Sequence, residues 1–427
     1  MLGGIFPTIG AGAHAAGPAV ILAYLLSGVV SLCVALCYAE FASMVPVAGS
    51  AYTYAYATMG ELVAWIIGWD LILEYGLSLA PTASSLSDYF QHMLGNAGIA
   101  FPSWAQTANV RGAHPQIDVL ACLVTLAITL IVAGGIRESA GVNVALVVVQ
   151  VISMLVFVAV MAPHVAVGNL RPFAPMGYHG VLASTALVFF AYIGFDTVTV
   201  ASEEAKRPER NVPIGIILAL IIGGMLYVAL TLCTVGAQRF DKLSDGAAML
   251  DALGVATHSP VLYGIVAIGG LAGNATVMLT SLLGQVRIFY VMARDRMLPP
   301  GVAAVHHVFR TPARMTLITG AIVAVFAAVL PLTELLTLVN IGTLAAFAIV
   351  CAGVTVLRVV NPSAHRPFRA PLGPLFSIIG AAACLYLITG LEVATWIRYG
   401  VWFVAGVLVY ALYGLRKSRL RANFLEL

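Results

Sequence analysis

Three carboxylates stand where a hydrophobic chain can least accommodate them: Asp70 and Glu74 inside the apolar stretch 62–88, and Asp196 inside 180–202. An ionisable side chain at membrane depth is costly and marks a proton or solute pathway by default. Asp70, Glu74 and Ser78 are spaced i, i+4 and i+8, which places them on one stripe of a helix. Asn143 and Gln150 share a face of the stretch 140–162. Asn274, Ser281 and Gln285 share a face of 259–293, flanked by Gly270, Gly273 and Gly284. Such amides either line a wet pathway or bond across packed helices. The chemistry open to these groups is proton uptake and hydrogen bonding to a polar solute. No phosphate loop, metal-ligand spacing or nucleophile with a paired base accompanies them, so no enzyme is expected and no cofactor or metal is called for.

Backbone is the other resource. Phe189-Phe190-Ala191-Tyr192-Ile193-Gly194-Phe195-Asp196 lies within an apolar stretch, yet Gly194 weakens a helix and Asp196 suits a helix restart. One reading is a broken helix whose unwound turn offers backbone groups to a bound solute; a tightly packed glycine beside a capping carboxylate accounts for the same residues. Gly3-Gly4 ahead of Pro7 is a second such place. A helix starting there crosses only part of a membrane, either as the second half of a broken helix or as a frayed terminus.

The elements that must position these groups follow from composition. The chain has 427 residues, 61% hydrophobic and 9% charged, with a mean hydropathy of +0.99. A soluble core cannot absorb that much apolar surface. Runs long enough to cross a bilayer as helix lie near 19–39, 62–88, 117–134, 140–162, 180–202, 213–236, 259–293, 312–330, 333–357, 374–394 and 397–415. The expectation is an all-α, polytopic transmembrane bundle forming a single domain over 1–427, with eleven spans plus a half helix at 1–16. None of the runs alternates strictly, which argues against a β-barrel. The cysteines Cys33, Cys37, Cys122, Cys233, Cys351 and Cys384 all fall within spans and read as packing residues. The loop from Gln91 to Gln116, with Trp104, Arg111 and His114, reads as structural, and the charged segment Ser202–Pro213 as a cytoplasmic loop.

Lys and Arg set the orientation. One side carries Arg137, Lys206, Arg207, Arg210, Arg287, Arg294, Arg296, Arg310, Arg314, Arg358, Arg366, Arg369 and the tail Arg416, Lys417, Arg419 and Arg421. The other has Arg111, Arg171, Arg239, Lys242 and Arg398. The C-terminus is therefore expected in the cytoplasm, and the basic tail reads as a topology anchor, with no nucleic-acid partner.

Several stretches together carry a resemblance. Gly4-Ile5-Phe6, Ala39-Glu40-Phe41-Ala42 with Pro46-Val47-Ala48-Gly49-Ser50-Ala51-Tyr52, and Gly68-Trp69-Asp70-Leu71-Ile72-Leu73-Glu74-Tyr75 resemble the amino acid–polyamine–organocation transporters. Phe189–Asp196 is similar to the broken sixth helix of that superfamily. Arg294-Asp295 with Leu298-Pro299, and Arg366-Pro367-Phe368-Arg369, resemble its bacterial cationic amino acid transporter branch.

The resemblance implies a five-plus-five inverted repeat with two extra C-terminal helices and, here, a truncated first helix. It implies a secondary transporter of amino acids in a bacterial inner or plasma membrane, working by alternating access and linked to protons. The substrate carboxylate would sit on N–H groups of Gly3, Gly4 and Ile5, and its ammonium on carbonyls near Phe190, Ala191 and Ile193. Glu74, Asn274 and Ala275 would bear on selectivity. Coupling would involve Glu74 and position 150, where bacterial relatives commonly carry lysine and this chain has Gln150. An exchanger of amino acids or amines, and a sensor or scaffold that binds without transporting, are the alternatives.

Overall fold

The structure, a computed structural model, describes residues 1–44, 50–96, 98–99, 101–108, 116–135, 140–200, 207–306, 311–372 and 374–417. The turn at Pro46–Gly49, the outer-loop residues Arg111 and His114, the basic residues Arg137, Lys206 and Arg310, residues 202–206 of the charged Ser202–Pro213 segment and the tail residues Arg419 and Arg421 lie outside the described residues. Among the described residues every regular element is helical.

A 3-10 turn at Leu2–Ile5 leads into α1 (Ile9–Ala16), and Gly17, with φ of +66°, turns the chain into α2 (Val20–Met44). Only glycine fits that corner: its φ is left-handed, and a Cβ there would stand 2.5 Å from the Pro175 ring. α3 (Ser50–Thr58) precedes α4 (Glu61–Leu77) and α5 (Leu79–Asn96), which run on from one another at Ser78. α6 (Val119–Ala133) and α7 (Ala140–Met161) follow. Next come α8 (Gly177–Val188), a 3-10 turn at Phe189–Tyr192, and the short α9 (Thr197–Val200). The remainder is α10 (Pro208–Ala237), α11 (Ala248–Ala256), α12 (Pro260–Arg294), α13 (Ala313–Val329), α14 (Leu332–Val360), α15 (Leu375–Ile388) and α16 (Val393–Val409).

The apolar stretches of the sequence are helical, with 62–88 divided between α4 and α5 and 180–202 between α8 and α9. Among the described residues, seven helical runs are long and apolar enough to cross a membrane: Ile9–Met44, Glu61–Asn96, Gly141–His164, Arg210–Ala237, Pro260–Arg294, Leu332–Val360 and Val393–Lys417. α6, α13 and α15 are shorter apolar helices. The outside is greasy: Leu130, Val29, Met225 and Val359 are all more than 60% exposed. The inside is partly polar, with Thr8, Ser27, Asp70, Glu74, Asp196 and Asn340 fully buried. That inversion suits a bundle whose solvent is lipid, where buried polar groups hold helices together and small residues let them approach.

Three contacts set the bundle's geometry. Where α8 tightens into a 3-10 turn its last carbonyls lose their helical partners, and the Asn340 amide of α14 donates to Ala186 and Leu187 oxygens, both at 2.8 Å. On α4, Trp65 donates to the Gly406 carbonyl at 3.0 Å and Trp69 to that of Trp402 at 2.9 Å, with Trp65, Trp69 and Trp402 stacked in series. At the end of α2, buried Glu40 accepts from Arg358 and from the Ala370 N–H at 2.9 Å, with Arg366 3.4 Å away. Arg366 also donates to the carbonyls of Pro362, Ala364, Leu357 and Asn361, which fixes the turn after α14.

Candidate functional site

The two backbone interruptions meet. A Cβ on Gly4 would stand 2.9 Å from Ala191 Cα and 3.0 Å from the Phe190 oxygen, so the turn at Leu2–Ile5 touches the turn at Phe189–Tyr192 backbone to backbone. Gly3 abuts α12 in the same way, its Cβ position lying 2.3 Å from the Gly273 oxygen. After Tyr192 the chain leaves helical geometry: Ile193 is extended, with ψ of 143°, and Gly194 has φ of +107°, a conformation open to glycine. Tyr38, Phe189 and Phe195 pack around Phe347 and brace the unwound segment from behind.

Between these turns lies a small cavity of about 30 Å³. Of the residues expected at the site, Gly4, Phe190 and Ile193 line it; Gly3, Ile5 and Ala191 are buried in the two turns beside it. Its other walls are hydroxyl-rich, with Ser78 at the end of α4, Thr197 of α9, and Thr280 and Ser281 of α12. Several backbone groups are already paired. Gly4 N–H donates to the Met1 oxygen at 3.0 Å, Ile193 N–H to the Phe190 oxygen at 3.1 Å, and the Tyr227 hydroxyl lies 2.8 Å from the Ala191 oxygen. Thr8 donates back to the Gly4 carbonyl at 2.8 Å and meets the Tyr24 hydroxyl at 2.7 Å.

The carboxylates separate by environment. Asp196 accepts from the Tyr75 hydroxyl and, at 3.2 Å, from Gly194 N–H, so it fastens the restart of the helix to α4. Asp70 turns the other way and accepts from Tyr399 of α16 at 3.0 Å. Glu74, between them along α4, is fully buried; neither oxygen makes a well-formed hydrogen bond among the described residues, and the Thr343 hydroxyl of α14 is its neighbouring donor. Helical spacing put Asp70, Glu74 and Ser78 on one stripe, and the structure sends them to α16, the bundle interior and the cavity respectively.

Gln150 of α7 is buried beside Gly273, whose Cβ position would lie 3.0 Å from the amide carbon and 2.5 Å from Phe6. It therefore sits next to the first interruption, and its Nε2 has no partner among the described residues. Asn274 and Ala275 are not among the residues lining the cavity. The Asn274 amide donates to Ser85 at 3.2 Å instead, and Ser85 bonds the Gly246 carbonyl at 2.7 Å. Sequence reasoning singled out Ser281 and Ser78 by their stripes but not Val277, Thr280 or Thr197; Val277 lies one turn before Ser281 on α12, whereas Thr197 follows directly on the Phe189–Asp196 stretch.

At the end of the bundle opposite Glu40, a wider cavity of about 650 Å³ is lined by Asp88, His92, Asp118, Ser244 and Asp245 among others. The Asp118 carboxylate accepts from the Ala121 N–H at 2.8 Å and from the Ser87 hydroxyl at 2.7 Å.

Comparison with known proteins adds a common theme. A family model described as amino acid permease matches residues 1–414. A methylthioribose transporter of Bacillus subtilis (strain 168) is 41% identical over 418 residues, which covers 98% of this chain and 90% of that protein. The branched-chain amino acid permease BcaP of the same strain is 40% identical over 419 residues, with 98% and 90% covered. Human cationic amino acid transporter 4 is 35% identical over 384 residues, covering 87% of this chain and 60% of its own.

Proposed function

The chain belongs to the amino acid permease family, and from that premise we propose that it carries an amino acid across a bacterial inner or plasma membrane by alternating access, as a secondary transporter. The observation that carries this reading is the backbone contact of the two interruptions, Gly4 against Ala191, beside a cavity walled by hydroxyls. Unwound backbone in a bundle interior offers donors and acceptors without the cost of a fixed buried charge. The substrate carboxylate is held at the leading N–H groups of the Leu2–Ile5 turn, Gly3 foremost, with Gly4 and Ile5 shaping it. The ammonium meets the carbonyl edge of Phe190, Ala191 and Ile193. Asn274 and Ala275 act from behind, through the Ser85 contact and the packing of α12, and not by touching the substrate.

The whole chain is one membrane domain, with a half helix at 1–16 ahead of eleven spans, a five-plus-five repeat followed by α15 and α16, and a cytoplasmic C-terminus. Glu74 is the group that exchanges a proton, being titratable and buried without a well-formed hydrogen bond among the described residues. Gln150 fills the place of a cation and keeps its reach, but it cannot titrate.

A second reading has a specific motive. The methylthioribose transporter is as similar as the branched-chain permease, and Ser78, Thr197, Thr280 and Ser281 are a suitable lining for a hydroxylated neutral solute. Uptake in proteoliposomes against a competition panel separates the two. If an amino acid is the substrate, its methyl ester and its decarboxylated amine should each compete one to two orders of magnitude more weakly, the worth of a charge-assisted hydrogen bond at roughly 1.5–3 kcal/mol. Equal competition by an amine lacking the carboxylate, or displacement by methylthioribose alone, overturns the amino acid assignment.

A further inference from the structure

The wide cavity of about 650 Å³, at the end opposite Glu40, is lined with acceptors in excess. Most donors in its wall are spent within the wall. Ser84 donates to the Ala80 carbonyl at 3.2 Å, and Thr107 to Gln116 Oε1 at 3.1 Å. The Gln91 amide donates to the Ser87 hydroxyl at 2.8 Å and to the Gln106 carbonyl at 2.7 Å, while the Gln106 amide donates to the Phe101 carbonyl at 2.7 Å. These side chains keep chiefly oxygen lone pairs for the cavity.

The charges at this end are equally one-sided. His14 pairs with Asp245 at 2.7 Å, His92 with Asp251 at 3.1 Å and Arg239 with Asp241 at 3.2 Å. The other ring nitrogen of His92 lies 2.9 Å from the Asp88 backbone carbonyl, so that ring has no hydrogen left to offer. Asp88 and Asp118 remain, and among the described residues neither has an ion pair. Asp118 is 2% exposed; its bonds from Ser87 and Ala121 both end on Oδ1, and Oδ2 is the oxygen left to the cavity that its side chain lines. The Asp88 carboxylate accepts no hydrogen bond among the described residues, and its Oδ2 lies 2.2 Å from where a Cβ on Gly246 would stand. Two carboxylates in one cavity hold both charges only when a cation joins them.

Acceptors without donors, two carboxylates without a counter-ion and room for a small solute together describe the occupant. A carboxylate or phosphate finds few donors there. A divalent metal is not served either, since among the described residues no three metal-type side chains converge. We propose that this cavity binds an alkylammonium ion, an amine or the side-chain end of a cationic amino acid, through Asp88 and Asp118. The cavity stands beside the small one: α5 runs on from α4, and Ser84 lies about 9 Å along the helix from Ser78. A recess of one sign concentrates ions of the other, so the wide cavity gathers cations at the approach to the small one.

The full chain in detergent, titrated with radiolabelled cadaverine, tests this. The expected result is saturable binding, displaced by unlabelled cadaverine and not by norleucine, which has the length of lysine without its terminal ammonium. Displacement by lysine within about tenfold of cadaverine adds cationic amino acids to the occupants, and failure of lysine confines the site to amines; either result upholds the site and names its source. Asp88→Asn removes the charge of a carboxylate that holds no hydrogen bond, and should weaken binding at least about tenfold without lowering the melting temperature. Asp118→Asn, which can still accept through its amide oxygen, should weaken it as well. Gly4→Ala, which crowds the small cavity, should leave cadaverine binding unchanged. Binding that is lost in Gly4→Ala and kept in Asp88→Asn places the amine in the small cavity and overturns the proposal. Absence of saturation, displacement by norleucine as strong as by cadaverine, or unchanged affinity in both aspartate variants overturns it too.

Discussion

Glu74 and Asp196 are both buried carboxylates, but their neighbours set them apart. Asp196 has the Tyr75 hydroxyl and the Gly194 N–H, while Glu74 has only the loosely placed Thr343 hydroxyl and no well-formed bond among the described residues. A carboxyl held by donors is a structural tie; one without them is free to change its protonation. Uptake by the unmodified protein should respond weakly to an imposed pH gradient, and Glu74→Gln should abolish that response while leaving exchange of substrate intact. Gln150→Lys, which places a titratable group against Gly273 and Phe6, should increase it. Both are measured in proteoliposomes with the substrate gradient held fixed. Strong proton-driven accumulation that survives Glu74→Gln would show that coupling lies elsewhere.

Among elements, the contact of the two turns leaves the least slack. Gly4→Ala puts a carbon against backbone on the facing turn, and overpacking of that kind costs about 1–3 kcal/mol; uptake should fall by roughly tenfold or more. Gly264→Ala, on α12 where no atom lies within 4 Å of the Cβ position, should leave uptake unchanged. Asp118 caps α6, its carboxylate accepting from the Ala121 N–H at 2.8 Å, so Asp118→Ala should lower the melting temperature by the worth of a cap, about 0.5–2 kcal/mol. Much of this level could be read from sequence. Apolar run length placed the helices, and Gly194 with Asp196 located the break, because both signals are local. The stripe Asn274, Ser281, Gln285 was also real, yet its members meet Ser85, the small cavity and Gly76 of α4 in turn. Spacing along one helix says which residues share a face. It does not say which helix that face meets at each height, and α12 meets a different neighbour at each.

Over the whole molecule, the apolar exterior leaves buried polar contacts to hold the helices in register. The Glu40, Arg358 and Arg366 cluster ties the end of α2 to the end of α14 and the turn beyond it. Removing one partner leaves buried charge uncompensated, so Glu40→Gln should cost about 3–5 kcal/mol, read as a lower unfolding midpoint in detergent. A midpoint unchanged within error would show that the cluster is not a tie. The stacked indoles of Trp65, Trp69 and Trp402 join α4 to α16 with ring centroids 5.6 and 4.5 Å apart. At such separations the electronic transitions of neighbouring rings mix, and near-ultraviolet circular dichroism records their mutual angle. Because α4 also walls the cavity, the chain contains an optical goniometer between its transport core and its last helix: a band that holds steady through substrate binding marks α4 and α16 as one rigid piece, and a band that collapses marks the seam along which they part.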